Sequence, residues 1–393
     1  MPAVASLFAA AALVGLVLAF LEWRALVAQL AEPRPSSDRP PPISILKPLC
    51  GVDDGLWENL ASFAALDHPC FEILLGIASS ADAAAPIASS AARRWPAIFR
   101  VVVQRREAGL NPKVSQLCAL AAEARHDLLV VSDSNVRVDP GYLREIAALL
   151  SDPEVGLVTH PIAGVGERSL GALMDNLQLA GGVSNAMAAA KRIAHQDLVV
   201  GKSMALRRGD LRALGGFESV ADVLAEDYVL GRRVPRELGK RVEVARRPVL
   251  QLSSGRGVLD FWRRYRRWGV MQKSLVGPWV YFLQLLLNPV LLSLASALID
   301  PSFACALGVA ACWAAKAALD GAAGRALRAE PFRLVDLALV PFKDLVLGAA
   351  WASGLFADRI EWRGHRLRVG PGSVLSPVEP DAPAPAVASL PAP

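Results

Sequence analysis

The sequence predicts an α/β protein with a mostly parallel, Rossmann-like sheet, plus transmembrane helices at the N-terminal and C-terminal ends. Three observations carry that reading. Between residues 43 and 255, short continuous apolar runs alternate with amphipathic segments, the pattern of a parallel sheet covered on both faces. The N-terminal stretch 4–21 is uncharged, and long apolar runs return after residue 278. The composition agrees: of 393 residues, 53% are apolar and 20% charged, and mean hydropathy is +0.35. These values exclude a disordered chain and a disulfide scaffold. The net charge of +5 belongs, in a chain with spans, beside the bilayer on the cytoplasmic side, so no nucleic-acid partner is expected.

In chain order, residues 1–23 form the expected N-terminal transmembrane helix. The run lacks the basic start of a cleaved signal. Arg24, Arg34, Arg39 and Lys47 follow it, which places the next domain in the cytoplasm. Residues 32–42 (EPRPSSDRPPP) read as an unstructured Pro-rich linker. The soluble domain, 43–255, reads as strands at 43–49, 72–78, 98–104, 127–132 and 155–161. Helices are expected at 56–66, 81–95, 113–124, 142–150 and 229–238, with right-handed crossovers between parallel strands. Residues 256–278 read as an interfacial helix. Residues 279–357 are the C-terminal membrane segments: 279–299 and 302–319 each span, joined by a tight hairpin at Asp300-Pro301, with Lys316 snorkelling. Pro341, Lys343 and Asp344 interrupt 334–356, which therefore reads as a non-simple span. The tail 371–393 is expected to be disordered. The cysteines Cys50, Cys70, Cys118, Cys305 and Cys312 form no Cys-x-x-Cys pair and read as buried thiols of a reducing compartment.

Ligands of such sheets bind at the carboxyl ends of the strands. Asp133-Ser134-Asn135 stands where the run DLLVVS ends. A carboxylate there, with Asn135 two residues on, suits Mg or Mn held against a diphosphate; the plain alternative is a turn. Ala225-Glu226-Asp227-Tyr228 offers either a general base or acids favouring a helix's first turn. In RRYRRW, Arg264 and Arg267 share a helix face and can grip phosphate, or bind anionic lipid head groups. Lys113, in GLNPK, opens a helix where an anion can sit. In VVGKSMALRR, Lys202 follows Gly201 at the edge of an expected strand, and Gly201 permits close backbone approach, a weak signal. No P-loop and no Gly-x-Gly-x-x-Gly follows a strand, which excludes those nucleotide sites.

Taken in order, these motifs resemble the ceramide glucosyltransferase family and the related bacterial transferases that glycosylate hopanoid lipids. ISILKPLCGVDDGLWENLASF, GLNPKVSQL, SDSNVRV, GKSMALRRGDL and LAEDYVLGRRV carry the likeness, from about residue 43 to the third late segment. It implies a nucleotide-sugar GT-A domain and inverting transfer of a hexose from a UDP-sugar donor to a hydroxyl of a membrane lipid, ceramide or a hopanoid. It also implies a divalent cation (Mg or Mn) and a multi-pass protein in the bilayer with a cytoplasmic catalytic domain. By the same resemblance Asp133, with Asn135 beside it, takes the metal and diphosphate position, and Asp227 that of the general base. Arg264, Arg267 and Trp268 match (Gln/Arg)-x-x-Arg-Trp, expected to hold the leaving diphosphate and close on the acceptor, while Lys113 falls near the nucleotide. The family's aspartate after the second strand is replaced by Ser79, with Asp82 three residues later; both are expected at the nucleotide. Two other readings stand beside this one: a processive polysaccharide synthase, which product length would reveal, and a non-catalytic membrane scaffold with a degenerate fold, which would release no nucleotide.

Overall fold

All six residues of Ile43–Pro48 are buried, because each face of this strand meets a different core. The computed structural model describes residues 2–37, 39–362 and 365–378. Its strands in chain order are β1 (Ile43–Pro48), β2 (Phe71–Ile77), β3 (Phe99–Val103), β4 (Leu128–Ser132), β5 (Val136–Arg137), β6 (Val155–Thr159), β7 (Ile162–Val165), β8 (Ser203–Arg207), β9 (Arg241–Val244), β10 (Val249–Leu252), β11 (Arg359–Trp362), β12 (His365–Val369) and β13 (Leu375–Pro377). Seven of them form the main sheet in the order β3-β2-β1-β4-β8-β6-β9. The pairs β1–β2, β1–β4, β2–β3 and β6–β9 are parallel, and β8 runs antiparallel between β4 and β6. This is the α/β, mostly parallel arrangement expected; the antiparallel strand in its interior is an addition to the sequence reading. Side chains alternate across the sheet. Ile43, Ile45, Ile73, Leu75 and Val130 enter one core with Leu60 and Phe63 of helix Leu56–Ala64. Leu46, Leu74, Leu129 and Val131 enter the other with Val114, Leu117 and Leu120 of helix Pro112–Glu123. A smaller sheet, β5-β10-β7, lies beside the main one.

Among the described residues, two helices are long and apolar enough to cross a membrane, Pro2–Ala31 and Phe303–Leu327. The stretch expected as one span at 279–299 is instead two helices, Pro278–Leu285 and Pro289–Ile299, bent by 68°. The break follows from local chemistry. Asn288 Oδ1 accepts from the backbone N–H of Val290 (3.0 Å) and Leu291 (3.2 Å), and Pro289 opens the new helix. The N-terminal helix packs on the late ones through Ala12, Leu292 and Cys312. Its final turns reach the soluble domain, where Gln29 Nε2 donates to the Val244 carbonyl at 2.6 Å.

Lys316 does not snorkel. It is buried against Asp320 (2.5 Å), which also takes Lys343 (3.1 Å), itself paired with Asp344 (2.7 Å). Segment 334–356 resolves into helices Leu334–Leu337 and Val340–Leu355. Before it, Leu327 and Phe332 pack with Leu177 and Ala163 of the soluble domain, and after it Ala357 and Ile360 pack with Leu224. Both ends of the segment therefore meet the same domain.

Among its described residues the linker has no regular structure but is tied down. Arg34 pairs with Asp139 and Glu145, each at 2.9 Å, and Glu32 meets Arg192 and Arg246. The expected disordered tail fails for residues 371–378. β13 pairs with β12, the Ser373 carbonyl accepts from Leu224 N (2.8 Å) and its hydroxyl from Ala225 N (3.1 Å). A Pro-rich composition does not forbid a short strand whose few donors find partners. Residues 379–393 lie outside the described ones. The cysteines are free, but only Cys312 is buried; Cys50 and Cys70 are exposed, since they occupy the loops after β1 and before β2.

Candidate functional site

The site is built on the carboxyl ends of β1 and β4. Lys47, on β1, is fully buried. Its Nζ donates to the Asp133 carbonyl (2.7 Å) and to Ser132 Oγ (3.2 Å), and lies 3.9 Å over the Phe63 ring. Burial pushes this amine down to about 7. Lys47 thus fixes the backbone on which the Asp-Ser-Asn triplet leaves the sheet. Ser134 Oγ is held in turn by the Asp53 carboxylate.

Helix Pro112–Glu123 starts here because Asn111 caps it, accepting from Lys113 N (3.0 Å) and Val114 N (3.2 Å), with Pro112 in the first turn. That start aims Lys113 at the triplet: its Nζ is 3.1 Å from Asp133 Oδ1 and 2.8 Å from Glu226 Oε1. Lys202, in the loop entering β8, approaches from the other side. Its Nζ is 2.9 Å from Asp133 Oδ2 and donates to Asn135 Oδ1 at 2.9 Å. Asp227 sits in the first turn of helix Glu226–Leu238, its Oδ2 accepting from Gly201 N and its Oδ1 from Tyr228 N (2.7 Å). A Cβ built on Gly201 would lie 2.7 Å from Lys113 Nζ and 2.9 Å from Asp227 Oδ2. Asp133, Asp227, Glu226, Lys113 and Lys202 therefore converge on one crevice.

The charges set each other. Burial alone would raise the Asp133 carboxyl, but Lys113 and then Lys202 outweigh it and hold it well below the usual carboxylate range. Lys113 is raised despite its burial by Asp133, Glu226 and Asp227, whereas burial lowers Lys202. Burial, with the neighbouring Glu226 charge, raises Asp227 from 3.8 to about 6 against the pull of Lys113. A carboxylate in that range is suited to accept a proton near neutral pH.

The Arg-Trp motif lies on helix Val258–Val276. Arg264 is already engaged: its Nη1 is 2.6 Å from Asp175 Oδ2, its Nη2 donates to Gln251 (3.2 Å), and its guanidinium lies 5.0 Å over the Trp268 ring. Tyr265 donates to the other Asp175 oxygen at 3.0 Å. Arg264 thus braces the helix against Asp175, although its charge still reaches Asp133 and Lys202. Arg267 stands one turn further along. Ser79 is exposed and its Oγ accepts from Ala81 N (3.2 Å), while Asp82 Oδ1 takes Gly51 N (2.9 Å) and Ala84 N (2.8 Å). Asp82, not Ser79, ties the β1 and β2 exit loops together.

Sequence reasoning did not assign Lys47, Asp53, Asp54 or Asp175. Asp54 accepts from Ser254 N (2.8 Å) and joins the β1 exit loop to the segment leading into the Arg-Trp helix. A lysine inside an otherwise apolar strand was the available signal for Lys47. Among the described residues no group of three or more His, Cys, Asp and Glu side chains is placed to hold a metal ion. Mg usually takes one or two carboxylates together with phosphate oxygens and water. Asp133 fits that use. Asn135 stands beside it, and Lys202 Nζ meets both side chains, at 2.9 Å each.

A family model described as glycosyl transferase family 21 matches residues 7–375. Ceramide glucosyltransferase 1 of Caenorhabditis elegans is 27% identical over 239 residues, 58% of this chain and 49% of that protein. A ceramide glucosyltransferase of Komagataella phaffii is 30% identical over 113 residues, 27% of this chain and 22% of that protein. The chain thus spans about half the length of the Caenorhabditis relative. Among solved structures, a mannosyltransferase from Pyrobaculum calidifontis in complex with GDP-Man and Mn2+ is 19% identical with a TM-score of 0.49, covering 89% of this chain and 98% of that one.

Proposed function

The chain belongs to glycosyl transferase family 21, and from that premise we propose that it is an inverting hexosyltransferase moving a sugar from a UDP-sugar to a hydroxyl of a membrane lipid, ceramide or a hopanoid. The observation that carries this reading is the meeting of Asp133 and Asp227 around Lys113 at the carboxyl edge of the sheet. An acid whose proton affinity is raised stands beside an anion-binding, lysine-lined crevice, which is the pairing a single displacement requires. The lipid oxygen forms a bond to the anomeric carbon as the bond from that carbon to the diphosphate breaks. The hydroxyl proton goes to Asp227 and the nucleotide diphosphate leaves. Lys113 and Arg267 supply positive charge where negative charge develops on the leaving group. Asp133 is the residue that would hold Mg or Mn, whose chemistry there is to neutralise that same diphosphate.

The membrane arrangement supports a lipid acceptor. The helix carrying Arg264, Arg267 and Trp268 runs into the bent apolar pair Pro278–Leu285 and Pro289–Ile299, so the crevice and the bilayer are joined by one short stretch of chain. In this reading the catalytic domain faces the cytoplasm, where a soluble UDP-sugar meets it. A matrix of UDP-sugars against ceramide, hopanoid polyol and diacylglycerol, run on purified protein with mass detection, tests the proposal. A singly glycosylated lipid is expected. A polymer, or nucleotide release with water as the only acceptor, would refute it.

A further inference from the structure

We propose that Lys202 is a donor-binding residue whose ammonium neutralises the sugar nucleotide's diphosphate, so that nucleotide binding leans only weakly on a divalent ion. The inference rests on the glycosyl transfer proposed above and deepens it. Its basis is where the amine sits. Lys202 Nζ lies 2.9 Å from Asp133 Oδ2 and 2.9 Å from Asn135 Oδ1. Those are the two side chains the sequence assigns to a metal ion, and the structure places an ammonium between them.

Asp133 also meets Lys113, at 3.1 Å, an ammonium that Glu226 shares at 2.8 Å. Lys202 brings a further positive charge to this acidic cluster, where the phosphate oxygens of an entering diphosphate would meet it. The side chains of Lys202 and Asp133 are 14% and 24% exposed, so the crevice is open enough for a ligand to reach both. An ammonium has three donors. Asp133 and Asn135 account for two of them among the described residues, leaving one for a phosphate oxygen. Gly201 lets the loop pass close to Lys113 and Asp227, where a side chain would collide. The loop thus brings Lys202 to the crevice without obstructing it.

The test is binding of UDP to the full-length protein in detergent, by calorimetry, with Mg and again with a chelator. In the wild type, chelation should weaken binding by less than about tenfold. Lys202→Met should weaken it in chelator by roughly 10–100-fold, the worth of one charge-assisted bond. Much of that loss should return on adding Mg, because Asp133 is then freed of one ammonium. Lys202→Arg, which keeps the charge, should restore binding in chelator. The inference is overturned if Lys202→Met binds like the wild type in chelator, or if both lose the same factor on chelation, or if Lys202→Arg is as poor as Lys202→Met. Failure of the wild type to bind UDP at all would instead sink the proposed function with it. Binding that Asp133→Asn abolishes and Lys202→Met spares would leave that function standing and remove this inference alone.

Discussion

Replacing Asp227 by Asn tests the base directly. The carboxylate accepts two backbone N–H groups, from Gly201 and Tyr228. An amide has nearly the same shape but only one acceptor oxygen, so one of the two N–H groups, which go to different carboxylate oxygens, loses its partner; an unchanged melting temperature checks that the loop stays in place. What disappears is the capacity to take a proton. General-base catalysis is worth roughly 10²–10⁴-fold, which is about 3–5 kcal/mol of barrier at ~1.4 kcal/mol per tenfold. Turnover should fall by that range while UDP affinity changes only a few-fold. The pH profile gives a second reading. Because burial and Glu226 raise Asp227 to about 6, the active deprotonated form is lost as pH falls through that value. The rate should rise with unit slope below about pH 6 and flatten above it. In Asp227→Asn this acidic limb should vanish. Glu226 cannot readily replace the base, since its carboxylate is ion-paired to Lys113 at 2.8 Å. Activity within tenfold of wild type, or an unchanged acidic limb in the variant, would refute the assignment.

Two further substitutions probe the surrounding frame. Gly201→Ala places a methyl within 3 Å of Lys113 Nζ and Asp227 Oδ2; misplacement of reacting groups on this scale should cost roughly 10²-fold in turnover, with little change in melting temperature, and a fully active variant would show the approach is not tight. Asp175→Ala strips the buried Arg264 of its partner, where the side chains are 1% and 9% exposed. Breaking a buried pair costs about 3–5 kcal/mol, so the detergent-solubilised protein should melt several degrees lower, and an unchanged melting temperature would contradict the brace.

The strands that lead to the site were legible because each is a continuous apolar run fed by an amphipathic helix. Asp133 was legible as the polar residue ending one such run. A strand after Gly201-Lys202 was legible, but its direction was not: SMALR mixes polar and apolar residues over five positions, and its antiparallel pairing depends on partners far away in sequence. The broken span shows the opposite failure. Its apolar content hid a local signal, Asn288-Pro289, that helix-capping chemistry reads as a start. Lys202 looked ordinary in sequence since its meaning lies in contacts with Asp133 and Asn135 across the sheet. The pairing of Arg264 with Asp175 was not legible, because the motif says nothing of a residue 89 positions away on another helix.

The pairing of Ser373 with Leu224 and Ala225 sets an order on biosynthesis. Ser373 comes 148 positions after Ala225, and the whole set of apolar helices from Pro278 to Leu355 is made in between. The backbone just ahead of Asp227 therefore receives its last hydrogen bonds only once those helices have left the ribosome. A chain stalled or clipped short of residue 373 keeps the helix Pro2–Ala31 and the main sheet in its sequence but lacks the two hydrogen bonds that tie down Leu224 and Ala225.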